Sequence, residues 1–255
     1  PLYMIGSGWW CSGDNNSLPH HRGDSLIRDA DFHHLWYRLV DYFASPTRIL
    51  IVDSASPVPP PVNANDDRIL VHSLAINAGH ATRCEQQFCG WTASVLCGLQ
   101  DCLHSDNEYF VYIEQDVLLY GSGIIEYAIS SMKTPYLFGD AIGIPQPLQQ
   151  SLFIIRRDGI APFISHLLAI TDSDRVLSPE RKFHLSCQAP FFASRFGRWL
   201  GRNRRKYDLL PFGYGRKRPL DMTQAYFYFQ HGSTEEYNAF IKHLQTGPGI
   251  DIHHT

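Results

Sequence analysis

Phe110-Val111-Tyr112-Ile113-Glu114-Gln115-Asp116 is the stretch that decides the fold. Four consecutive apolar or aromatic residues predict a strand buried on both faces, as in a parallel sheet covered by helices. Side chains alternate along a strand, so Glu114 and Asp116 are expected on one side of it, where the apolar run stops. Open α/β sheets bind their ligands beyond the carboxyl ends of their strands. Two carboxylates there suit a hard divalent cation, which can in turn hold a phosphate or diphosphate. An ordinary acidic loop after a core strand fits the same spacing.

Working outward, Pro1 to Gly6 supplies a first strand, followed by a polar, glycine-rich loop to about Gly23. Asp31 is placed to cap a helix whose apolar stripe is Phe32, Leu35, Trp36, Leu39, Val40 and Phe43. Ile49 to Val52 reads as a strand ending at Asp53-Ser54, and Pro57, Pro59, Pro60 and Pro61 must leave regular structure. Ile69 to Val71 is a further strand, leading to the loop Asn77-Ala78-Gly79-His80. Phe88, Trp91, Val95, Leu99 and Cys102 recur at helical spacing from about Glu85 to Leu103. The order strand, helix, strand then predicts a right-handed crossover into the Phe110 strand. Beyond it come a short helix after Gly121-Ser122-Gly123, strands at Tyr136–Phe138 and Ser151–Ile155, and a helix from Gly159 to about Ile170. Ser178-Pro179-Glu180 is a helix start, with a capping hydroxyl and proline in the first turn. Tyr226 to Phe229 predicts a late strand ending in Gln230-His231-Gly232, with a closing helix from Glu235 to Leu244.

The 255 residues can bury one full core, and 44% hydrophobic against 18% charged residues describes a folded chain. A formal net charge of -3 gives no reason to expect a nucleic-acid partner, and no apolar run reaches the length of a membrane span. The basic residues concentrate locally in Arg195, Arg198, Arg202, Arg204, Arg205, Lys206, Arg216, Lys217 and Arg218, with Gly201, Gly213 and Gly215 among them. The six cysteines form no C-x-x-C pair, and Cys84, Cys89, Cys97 and Cys102 fall along one predicted helix. Buried thiols in a reduced, intracellular protein are the simpler expectation.

The chain has no G-x-G-x-x-G, no P-loop and no G-x-S-x-G elbow. Gly6-Ser7-Gly8 could let a nucleotide approach the backbone, although a tight surface turn accounts for the same glycines. Asp53 ends a strand in the position equivalent to the acidic pair, where it could meet a base or sugar or simply cap a turn. Glu180, in a first helical turn, faces aligned amides that favour its ionised form, as a general base needs and as a capping residue also shows. His231 follows an apolar strand and precedes glycine, a compact setting for a metal or phosphate ligand or for a structural histidine. His20-His21, His33-His34 and His253-His254 are adjacent pairs and are expected to face solvent.

The I-V-D-S at 51–54, the N-A-G loop at 77–79, the long helix and Y-F-V-Y-I-E-Q-D at 109–116 together resemble glycosyltransferases of the GT-A type. The resemblance covers residues 1–190, with His231 as an outlying match. It implies an α/β/α sandwich around a mixed, mostly parallel sheet, with residues 191–255 adding a basic segment, strand and helix to the same domain. It also implies Mn²⁺ or Mg²⁺ held by Glu114 and Asp116 in place of a D-x-D motif, with His231 joining that site. Asp53, Asn77, Gly79, Gly6 and Gly8 would approach the donor nucleotide, and Glu180 would be the acceptor-activating base. Two departures stand out: the first acidic position is Glu, and the family's later E-D pair is absent.

The expected function is therefore metal-dependent, inverting transfer of a sugar from a nucleoside-diphosphate donor to a hydroxyl of a saccharide or glycolipid acceptor. Arg204 and Arg205 would attract the donor phosphates, an anionic acceptor or a membrane surface. The protein is expected in the cytoplasm, either free or at the inner face of a membrane. A sugar-nucleotide nucleotidyltransferase is the rival enzyme, but Gly6-Ser7-Gly8-Trp9-Trp10 lacks the basic residue of its phosphate loop. A non-catalytic carbohydrate-binding protein on the same fold is the third reading.

Overall fold

The computed structural model describes residues 1–13, 24–188, 191, 197, 204–212 and 220–247. The strands are β1 (Tyr3–Trp9), β2 (Arg48–Asp53), β3 (Ile69–Ser73), β4 (Tyr109–Ile113), β5 (Val117–Tyr120), β6 (Tyr136–Gly139), β7 (Gln149–Arg156), β8 (Asp208–Leu209) and β9 (Phe227–Gln230). Seven of them form one sheet in the order β3-β2-β1-β4-β7-β6-β8, in which only β7 runs against its neighbours. β5 and β9 make a separate antiparallel pair. The helices are α1 (Ala30–Phe43), α2 (Gly90–Leu103), α3 (Ile124–Ser130), α4 (Arg157–Leu168), α5 (Pro179–Ser186) and α6 (Thr234–Thr246). α1, α3 and α6 share one core with the sheet, and α2, α4 and α5 share the other. This is the layered α/β/α sandwich that the apolar runs and the resemblance predict.

β4 is the buried central strand that its sequence demands, with Phe110, Val111, Tyr112 and Ile113 all inaccessible. Its alternate side chains feed the two cores: Val111 and Ile113 towards α1, Phe110 and Tyr112 towards α2. The α2 side is strongly aromatic, with Phe153 stacked between Tyr112 at 5.2 Å and Phe138 at 5.3 Å. Such pairs add ~0.5–1.5 kcal/mol each beyond burial.

Gly6-Ser7-Gly8 is not a turn, because β1 continues through it to Trp9. The glycines are there for packing. A Cβ on Gly6 would lie 2.6 Å from the Phe110 ring, and one on Gly98 of α2 would lie 2.5 Å from it, so both glycines make room for that ring. A Cβ on Gly8 would meet Ser94 Oγ at 2.7 Å.

Other expectations shift by a few residues. The α1 cap is Asp29, whose carboxylate accepts from Phe32 N at 2.8 Å, while Asp31 sits in the first turn. α2 begins at Gly90, so only Cys97 and Cys102 of the four cysteines are helical; all six cysteines are unbridged and four are buried. β5 follows β4 after a turn and takes up the apolar run Val117-Leu118-Leu119-Tyr120, a strand not anticipated from the sequence. The proline cluster occupies the irregular β2–β3 connection, as expected. Beyond residue 190, β8 extends the main sheet, β9 pairs with β5, and α6 starts from a capping box between Ser233 and Glu236. Among the described residues, no helix is long and apolar enough to cross a membrane. Arg195, Arg198, Arg202, Arg216, Lys217, Arg218, Gly201, Gly213, Gly215, His20, His21, His253 and His254 lie outside the described residues.

Candidate functional site

β1, β2, β3 and β4 are parallel, so their carboxyl ends meet at one edge of the sheet. There β4 stops at Ile113, and Glu114, Gln115 and Asp116 form a turn in which Val117 N donates to Glu114 O at 3.1 Å. The two carboxylates are thus brought together by a turn and not by strand alternation. Three contacts fix that turn. Glu114 N donates to Ser151 O at 2.8 Å, and Trp36 Nε1 donates to Glu114 O at 3.1 Å. Gln115 pairs with the Trp10 backbone in both directions, accepting at 2.7 Å and donating at 3.1 Å.

The β5–β9 pairing sets Val117 opposite Gln230 and so delivers His231 to the same place. Glu114, Asp116 and His231 each offer one ligand atom, and these atoms lie within 4.8 Å of one another. His231 Nε2 is 2.9 Å from Asp116 Oδ2, and Gln230 Nε2 donates to Glu114 Oε2 at 2.9 Å. His231 holds a left-handed φ of 51°, a conformation costing a non-glycine residue roughly 1–2 kcal/mol. The next residue must be Gly232, since a Cβ there would collide with the Phe229 ring. Strain of this kind concentrates where a side chain must be aimed. Two carboxylates and an imidazole suit Mn²⁺ or Mg²⁺, the imidazole favouring Mn²⁺. Arg28, which no sequence pattern singles out, also enters the cluster, with Nη2 3.3 Å from Asp116 Oδ2.

Asp53, the last residue of β2, is nearly inaccessible and accepts from Ser56 N at 3.0 Å, the turn-capping arrangement. Asn77 Oδ1 accepts from Gly79 N at 2.8 Å, and Gly79 O accepts from Gly90 N at 3.1 Å. Those bonds lay the 77–79 loop across the start of α2, next to Ser54. The structure therefore gathers Asp53, Asn77 and Gly79 at the sheet edge that also carries the acidic turn. Gly6 and Gly8 lie inside β1, beneath Phe110 and beside Tyr112 and Ser94. Arg204 and Arg205 are exposed and precede β8, three strands across the sheet from β4.

Glu180 is half-buried in the first turn of α5, with Pro179 before it. That turn is held by a wholly buried ion pair, Lys182 Nζ to Asp174 Oδ1 at 2.7 Å. Asp174 Oδ2 also accepts from Cys89 N at 2.8 Å and Thr92 Oγ1 at 2.7 Å, while Lys182 donates to Gln87 O at 2.6 Å. The pair thus ties α5 to the beginning of α2, and the start of α2 packs on Ser54 just beyond β2.

His33 overturns its expectation. His34 is exposed, but His33 is fully buried, with its ring 5.0 Å from Trp36 in a stack and 4.8 Å from Trp9. Neither ring nitrogen has a hydrogen-bond partner among the described residues. Burial, with a smaller contribution from His34, pushes its pKa down from 6.5 to about 3. The unfolded chain therefore binds a proton that the folded chain refuses. Stability is fully present above pH 6.5 and falls as pH drops towards 3. Moving from pH 7 to pH 5 is expected to cost about 2 kcal/mol from this residue alone. Urea titrations at the two pH values check this, and His33→Phe should remove most of the difference.

No protein-family profile and no curated protein matches the sequence. Similarity is found among solved structures. S. aureus TarS 1–349 in complex with UDP is 10% identical over 96% of this chain and 64% of that one, with a TM-score of 0.43. The mannosyltransferase PcManGT from Pyrobaculum calidifontis, in complex with GDP-Man and Mn²⁺, is 11% identical over 80% of this chain and 66% of that one, with a TM-score of 0.46. HddC from Yersinia pseudotuberculosis is 10% identical over 93% and 96% of the two chains, with a TM-score of 0.41. The chain spans less than two thirds of the TarS 1–349 chain.

Proposed function

We propose that this chain transfers a sugar from a nucleoside-diphosphate donor to a hydroxyl of a saccharide or glycolipid acceptor, with inversion at the anomeric carbon. The observation that supports this most is the convergence of Glu114, Asp116 and His231 at the carboxyl edge of the sheet, the same edge at which β2 ends in Asp53. A Mn²⁺ or Mg²⁺ ion bound there would offset charge on the departing diphosphate. Glu114, Asp116 and His231 would hold that ion, with Gln230 orienting Glu114. Asp53 and the Asn77–Gly79 loop would border the nucleoside, with Arg204 and Arg205 as candidates for its phosphates or for an anionic acceptor or membrane surface. Glu180 would take the proton from the acceptor hydroxyl as its oxygen bonds to the anomeric carbon and the diphosphate leaves.

The placement of Gly6 and Gly8 inside β1 weighs against the nucleotidyltransferase alternative, which would need those glycines in a phosphate-cradling loop. Titrating UDP and GDP with Mn²⁺ or with a chelator tests the reading. One of the two should bind at least about tenfold tighter with Mn²⁺, and Asp116→Asn should abolish most of that gain, since even indirect ligand partners are worth ~10–100-fold. Equal affinities under all three conditions would remove the metal from the proposal.

A further inference from the structure

We infer that Arg28 sets the balance between cation and nucleotide binding, acting as a built-in positive charge that weakens uptake of the bare metal and strengthens uptake of the diphosphate. The inference rests on the metal-assisted reading above and adds a residue to it. Arg28 Nη2 stands 3.3 Å from Asp116 Oδ2, and its side chain is only 18% exposed. That carboxylate oxygen is the same one that faces His231 Nε2 at 2.9 Å. The guanidinium is therefore inside the ligand cluster and competes with a cation for its electrons.

The position of Arg28 is built rather than incidental. It ends a short 3-10 turn, Ser25–Arg28, which is anchored on both sides. On one side Asp24 N donates to Gly232 O at 3.3 Å, and the Asp24 carboxylate accepts from Thr234 N at 2.7 Å and Thr234 Oγ1 at 2.6 Å. On the other side Asp29 caps α1. The turn bearing Arg28 is thus tied to the loop bearing His231, so the two side chains reach Asp116 from elements that are fixed to each other.

Charge counting gives the consequence. Glu114 and Asp116 supply two negative charges and Arg28 returns one positive charge, so a divalent ion leaves the site with a net positive charge. A bare divalent ion is repelled by the guanidinium, whereas a nucleoside diphosphate is attracted by both cations. Arg28 thereby trades affinity for the bare cation against affinity for the diphosphate, two effects of opposite sign that one substitution should reverse together.

The experiment is calorimetric titration of wild type, Arg28→Gln and Arg28→Lys with MnCl₂ alone, then with UDP or GDP at saturating Mn²⁺. Arg28→Gln should bind Mn²⁺ alone about tenfold more tightly and the nucleotide about tenfold more weakly. Arg28→Lys, which keeps the charge, should stay near wild type in both titrations and shows that the turn still folds. Affinities in Arg28→Gln that both weaken, or that both stay unchanged, would overturn the inference while leaving the metal site standing. A wild-type chain that takes up no Mn²⁺ would remove this inference together with the reading beneath it.

Discussion

Lys182→Met is expected to lower the unfolding free energy by about 3–5 kcal/mol, the usual cost of leaving one member of a buried ion pair without its partner. Both side chains of the Lys182–Asp174 pair are wholly inaccessible, so the Asp174 charge would have no water to turn to. Its remaining donors, Cys89 N and Thr92 Oγ1, share a single oxygen. The Gln87 carbonyl would lose its bond to Lys182, and the cation would no longer lie over the Phe88 ring at 5.1 Å. The urea midpoint reports the loss. The double variant Lys182→Met, Asp174→Asn should recover a good part of it, because no bare charge then remains. If the single variant is as stable as wild type, the pair is not the clamp between α2 and α5. The contact matters beyond stability, since α5 carries Glu180 two residues before the buried lysine.

What could be read in the sequence follows from how local the cause is. The Phe110–Ile113 run, the α1 stripe and the Ser178-Pro179 start depend on neighbours in the chain, and the structure forms all three, although the Ser178 hydroxyl makes none of the capping bonds expected of it among the described residues. Glu114 and Asp116 meet as expected but by another route: a turn held by Ser151, Trp36 and Trp10 contacts from distant segments. The glycines of β1 look like a turn because their reasons, the Phe110 ring for Gly6 and the Ser94 and Tyr112 side chains for Gly8, are remote in the chain. His33 was legible in principle, since 33, 36 and 40 fall on one face of a helix. Its neighbour His34 disguised it as half of a surface pair. Arg28 has no local signature, because ties to a distant segment, from Asp24 to Gly232 and Thr234, hold its turn against Asp116. The Lys182–Asp174 pair is hidden for the same reason, as charged residues are almost always exposed unless a partner is supplied by the fold.

Glu180→Gln is expected to lower turnover by roughly 10²–10⁴ while leaving nucleotide affinity nearly unchanged. The substitution keeps the size of the side chain and removes its capacity to accept a proton. It also keeps the first turn of α5 intact, because Pro179 and the Lys182 anchor do not depend on residue 180. A loss of stability is therefore not expected, and thermal unfolding of the variant separates a chemical defect from a structural one. Turnover that is unaffected while chemistry limits the rate would end the assignment. Asp174 could not take its place, since both of its oxygens are engaged in the buried network that fixes α2 to α5. Asp172, two residues earlier and half-buried, would then be the carboxylate to replace next.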